Sequence, residues 1–97
     1  MTKKLKLIRL YNLHKGAEIH GLDAKVDGRK RHQPIIVKFD HVDGMYSYNY
    51  MLDMDGNKIL NKDKSPGIVH FARTIILKKV DNHYEMASED EAKDFKD

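Results

Sequence analysis

Three Asp-Gly dipeptides, Asp27-Gly28, Asp43-Gly44 and Asp55-Gly56, recur along the chain at intervals of 16 and 12 residues. Each lies between segments rich in β-branched or aromatic residues, which is the strongest short-range signal for a β-hairpin. Glycine supplies the positive φ that such turns need, and aspartate tolerates it by bonding its own backbone. The intervals suit strands of about five to nine residues. The rhythm predicts an antiparallel meander.

Strands fill the spaces between these turns. Lys4 to Leu10 reads as a first strand, with Leu5 and Leu7 alternating against lysines. Ala17 to Val26 is a second, with a fault in its alternation: Ala17 and Ile19 share one face, whereas Leu22, Ala24 and Val26 share the other. One extra residue at His20-Gly21 brings both sets to the same side, which is the effect of a β-bulge. Pro34 to Val42 is the clearest strand, with Ile35, Val37 and Phe39 inward and Lys38 and Asp40 outward. Met45 to Leu52 pairs back across Asp43-Gly44, and Lys58 to Asn61 pairs across Asp55-Gly56.

Residues 67–73 are open between two patterns. Ile68, Phe71, Ala72, Ile75 and Ile76 fit a helical face, with Ser65-Pro66 as N-cap and first position. The β-branched content favours a strand, at least from Thr74 to Val80. Asp81-Asn82 then turns into a last strand around Tyr84 to Ala87. Ser88-Glu89-Asp90-Glu91 matches a capping box, predicting a short helix over Glu89 to Phe95.

The fold class that follows is all-β: a small, strongly curved antiparallel sheet or barrel, SH3-like or OB-like, of five to seven strands with a short C-terminal helix. Residues 1–87 read as one β-rich domain and residues 88–97 as an acidic C-terminal tail. At 97 residues the chain holds one domain. Absence of cysteine removes disulfides, thiolate metal sites and cysteine nucleophiles, and favours a reducing compartment. No apolar h-region follows the basic N-terminus, and the densest apolar runs, Ile35-Ile36-Val37 and Ile75-Ile76-Leu77, are far too short to span a membrane. The expected location is cytoplasmic, without membrane association.

Charge is uneven. Eighteen Lys and Arg face fifteen Asp and Glu, a net of +3; without the last ten residues the balance is sixteen to ten, or +6. A basic body with an acidic tail points to a polyanionic partner or an acidic protein surface. The loop Arg29-Lys30-Arg31 places three adjacent cations in a hairpin turn, where solvent or phosphates must receive them.

Tyr46, Tyr48 and Tyr50 fall on one face of a strand by their period of two. As a core face, they would leave Ser47 and Asn49 in solvent, and that arrangement is favoured by polarity. As an exposed face, they would form a platform for stacking bases or docking a protein.

Six histidines (His14, His20, His32, His41, His70 and His83) show no metal-ligand spacing, and the expectation is no metal and no cofactor. Asp53-Met54-Asp55-Gly56-Asn57 lacks the glycine and glutamate positions of a calcium loop. No nucleophile elbow or Gly-rich phosphate loop is present. The chain therefore reads as non-enzymatic, with a small metal-independent ribonuclease using paired histidines as the enzymatic alternative.

The leading functional expectation is a binding module for RNA or single-stranded DNA, with Arg29, Lys30 and Arg31 on phosphates and Tyr46, Tyr48 and Tyr50 stacking bases. The alternative is a protein-interaction module, such as a phage- or mobile-element-encoded inhibitor that occludes a host enzyme. An unpaired edge strand in so small a sheet leaves a homodimer open as well.

Overall fold

The computed structural model describes residues 6–25 and 32–95. Its strands are β1 (Leu7–Arg9), β2 (Glu18–Lys25), β3 (His32–Asp43), β4 (Tyr46–Leu52), β5 (Ile68–Ala72), β6 (Ile76–Val80) and β7 (His83–Met86). A 3-10 turn (Leu10–Asn12) follows β1, and a four-residue helix, α1 (Glu89–Ala92), follows β7. All seven strands belong to one sheet, in the order β1-β6-β7-β2-β3-β4-β5.

The local pairings follow the turn chemistry. β3 and β4 pair antiparallel across Asp43-Gly44, where Gly44 takes a φ of +66°. At Asp53 the side chain accepts the N–H groups of Asp55 and Asn57, both at 2.9 Å, closing the Asp55-Gly56 turn. The register between β2 and β3 slips between His20 and Leu22, with Gly21 at φ +84°. That bulge turns Ile19 and Leu22 to the same side, and both are buried. The Asp27-Gly28 turn lies outside the described residues, as do the residues of the first expected strand before Lys6.

Several expectations are corrected. The sheet is mixed, because β2 runs parallel to β7 through Ile19↔Tyr84 and His20↔Glu85. Hairpin signals fix only pairs of sequence neighbours, and this pair joins residues from opposite ends of the chain. Of the expected sheet and barrel alternatives the open sheet is the one observed, with β1 and β5 as its two edges. Lys58 to Asn61 makes only isolated bridges, Leu52↔Lys58 and Leu60↔Pro66. Residues 68–72 are a strand and contain no helical turn: Val69 and Phe71 pack on the core while Ile68, His70 and Ala72 stay exposed. The terminal helix stops at Ala92, although its capping box is complete, with Ser88 Oγ accepting the Glu91 N–H and Glu91 accepting the Ser88 N–H.

Open as it is, the sheet must curl. β5 and β6 stand five positions apart in the strand order, which in a flat sheet is about 24 Å. Only residues 73–75 join them, and four Cα steps reach at most about 14 Å. Hydrogen bonds from Tyr11 to Arg73 and from Leu10 to Ile75 tie the same corner together. The concave side holds Leu10, Leu13, Ala17, Ile19, Leu22, Val37, Phe39 and Leu77, with Val69, Phe71 and Tyr84 packed against them.

β4 turns its faces against the polarity of its residues. Ser47 and Asn49 are buried, at 0% and 1% exposure, while Tyr46 is 55% exposed and Tyr48 and Tyr50 are half-buried on the convex side. The expectation of a tyrosine core face fails because of the neighbours. Asn49 lies opposite Phe39 on β3, and Ser47 opposite Phe71 on β5. Two small residues leave room for two phenylalanine rings, whereas three tyrosines in the same space would overpack it. The buried polar atoms are largely paired: Ser47 Oγ donates to the Phe71 carbonyl at 2.9 Å, and Asn49 Nδ2 donates to Ser47 Oγ and to the Val69 carbonyl. Asn49 Oδ1 has no partner.

Candidate functional site

The convex face of β3, β4 and β5 carries a row of rings. Tyr48 stacks on His41 from β3, with centroids 4.8 Å apart and planes within 4°, and His70 from β5 meets Tyr48 edge-on at 4.3 Å. The alignment depends on a second bulge. Between Phe39 and His41 the β3–β4 register shifts by one, which sets His41 opposite Tyr48 in place of Asp40. One step along β4, the Lys58 ammonium sits 4.0 Å from the centre of the Tyr50 ring. Tyr46 stands beyond the row, near the exposed Met45. A recess of about 30 Å³, lined by Asp40, His41, Tyr48, Asn49, Tyr50 and Ile68, has room for a water molecule.

Asp40 anchors one end of this row. Its carboxylate accepts a hydrogen bond from His41 Nδ1 at 2.6 Å and lies 3.5 Å from the Lys15 ammonium. The His41 hydrogen bond, followed by the charge and hydrogen bond of Lys15, holds the Asp40 carboxyl below its ordinary value. His41 is thereby oriented, with its ring plane matched to Tyr48.

A second ring pair marks the parallel seam. His20 and His83 stack at 3.9 Å with planes 13° apart. Each bonds a glutamate two residues away on its own strand: His20 Nε2 to Glu18 at 2.6 Å and His83 Nε2 to Glu85 at 2.8 Å. Rings in direct face contact cannot bracket a phosphate from two sides, so the pair lacks the geometry of an acid–base couple for RNA cleavage. Among the described residues no group of three or more His, Cys, Asp or Glu is placed to hold a metal ion.

The expected site residues divide. Tyr46, Tyr48 and Tyr50 come together on one face, joined by His41 and His70, which sequence reasoning did not connect to them. Arg29, Lys30 and Arg31 lie outside the described residues, and the chain enters and leaves that segment at the paired residues Lys25 and His32. From His32 to His41 along β3 is about 30 Å at strand rise. The base of the basic loop and the ring row therefore occupy opposite ends of one strand.

At the far edge of the sheet, two lysines of the terminal strands meet. β1 pairs with β6, bringing Lys6 beside Lys79. Lys6, Leu7, Ile8, Lys79 and Tyr84 line an open groove of about 350 Å³. Lys78 is committed elsewhere, to Glu91 of α1 at 2.9 Å. That bond, with the Ser88 N–H, lowers the Glu91 carboxyl to about 2.

No family model, no curated protein and no solved structure matches this chain. Whatever it binds must be read from its own surfaces. No described helix is long and apolar enough to cross a membrane.

Proposed function

We propose that this chain is a non-enzymatic binding module for single-stranded nucleic acid, RNA or single-stranded DNA, whose bases stack on the convex tyrosine–histidine face. The supporting observation is the orientation of β4, which buries Ser47 and Asn49 and leaves Tyr46, Tyr48 and Tyr50 on the solvent side. Aromatic rings on a sheet face accept any base through its π-face. Tyr46 and the outer side of His41 offer the open positions, while Tyr48 is held upright between its two histidines.

The charge distribution supports a complementary role for Arg29, Lys30 and Arg31. The described residues carry twelve Lys and Arg against thirteen Asp and Glu, whereas the remaining residues carry six against two. The phosphate-binding charge of such a module resides mainly in the β2–β3 connection and the N-terminus. A strand running along β3 would meet cations at one end and rings at the other.

The test is fluorescence anisotropy of labelled RNA and single-stranded DNA across a salt series. Tyr46→Ala or His41→Ala should weaken binding about 5- to 150-fold, the loss of one stacked base. Arg29→Ala/Arg31→Ala should flatten the salt dependence. Absence of binding at low salt would refute the proposal.

A protein partner is the second reading, favoured by the exposed apolar side chains beside the tyrosines: Met45 at 75%, Ile68 at 50% and Tyr46. An inhibitor that occludes a host enzyme belongs to this reading. It predicts that Met45→Glu abolishes partner binding, whereas the nucleic-acid reading predicts little effect of an uncharged Met45→Gln change.

A further inference from the structure

The edge of the sheet at β5 carries its own hydrogen-bonding code. Register pairs between β4 and β5 run from Tyr46↔Ala72 to Tyr50↔Ile68. At the two ends, Arg73 N–H bonds the Met45 carbonyl and Met51 N–H bonds the Gly67 carbonyl. Bonded pairs alternate along an antiparallel ladder, so Val69 and Phe71 turn their backbone groups to β4. Ile68, His70 and Ala72 turn theirs away from the sheet. The Ala72 carbonyl is already taken by the Ile75 N–H. Ile68 and His70 are thus left with both N–H and C=O facing outward.

We propose that this edge pairs with the β5 edge of a second copy, antiparallel about Val69. In that register Ile68 of each copy faces His70 of the other, and the two residues exchange N–H···O=C bonds in both directions. The free groups of Ile68 and His70 are then matched completely, and the outward Ala72 N–H lies beyond this four-bond ladder. The edge is also uncharged from Ile68 to Ala72, without the lysine, acid or proline that commonly guards an exposed strand. No like charges would oppose one another across the two-fold axis. A short ladder of this kind makes a weak dimer that assembles with rising concentration.

The convex faces of the two copies become continuous. The row Lys38–Tyr50–Ile68 on one copy runs into His70–Tyr48–His41 on the other, since each set shares register positions across its own strands. Pairing thereby doubles the length of the aromatic surface. The proposal does not rest on nucleic-acid binding, because self-association is measured on the protein alone.

Sedimentation equilibrium over a wide concentration range tests it. The wild-type chain should show a reversible monomer–dimer equilibrium. Ile68→Pro deletes an outward N–H while leaving the β4 bonds intact, and should weaken the dimer about tenfold or more. The register is tested by Ile68→Glu/His70→Lys. About Val69 this change sets Glu against Lys in both halves and preserves the dimer. About His70 it would set Lys against Lys. Thermal unfolding of each variant verifies the fold. A wild-type chain that stays monomeric throughout, or a double variant that dissociates while folded, overturns the proposal.

Discussion

Replacing Gly21 with alanine isolates what the β2 bulge is worth. Gly21 sits at φ +84°, in the region where an L side chain crowds its own backbone. An added Cβ meets nothing within 4 Å, so no packing cost accompanies the substitution. The penalty is conformational alone, about 1–2 kcal/mol. Asparagine, which tolerates this region, should cost less, and valine more. A loss of this size would lower the urea midpoint by roughly 1 M at unchanged slope. If the bulge instead slipped out of β2, Leu22 would leave the core, a change on the scale of a large-to-small core substitution, about 2–5 kcal/mol. Equilibrium urea unfolding of the three variants separates these cases. A Gly21→Ala chain as stable as wild type, or a valine variant more stable than the alanine one, would refute the reasoning.

Two other outcomes follow from the ring pair and the tail. A double-mutant cycle on His20→Ala and His83→Ala should give a coupling of about 0.5–1.5 kcal/mol from the stacked rings, measured by the same unfolding assay; additive losses would contradict the contact. The Lys78 hydrogen bond first, and then the Ser88 N–H, lower the Glu91 carboxyl from 4.5 to about 2. A carboxyl depressed on folding stabilises fully above its unfolded value and loses that contribution as pH falls through its folded one. The attachment of α1 to β6 should hold above pH 4.5 and be released between there and about 2, read from the amide shifts of Ala92 and Phe95. Glu91→Gln should abolish that acid transition.

The features legible in the sequence are those governed by neighbours along the chain. The Asp43-Gly44 and Asp55-Gly56 turns, the His20-Gly21 bulge and the Ser88–Glu91 capping box each lie within a few residues and have the chemistry to specify themselves. The orientation of β4 was not legible, because it depends on Phe39 and Phe71, which come from two other strands. The parallel pairing of β2 with β7 leaves no local mark either. In the site, the tyrosine stripe follows from its period of two. Its histidine flanks do not: His70 reaches Tyr48 from another strand, and His41 reaches it through a bulge at Asp40 that no glycine announces.

The parallel seam has a consequence for how the chain assembles. Ile19 and Tyr84 are separated by most of the chain, yet their strands share only two register pairs. The pairings from β2 to β5 join strands that follow one another in the chain and form on the microsecond scale, whereas the seam must wait until β6 and β7 have crossed the core. Closing so long a loop early would cost entropy that two pairs cannot offset. The meander is therefore expected to form first and the seam last, making contact order, more than core size, the determinant of the folding rate. Under force or denaturant the same line is where the sheet would part, with β1, β6 and β7 separating from β2–β5.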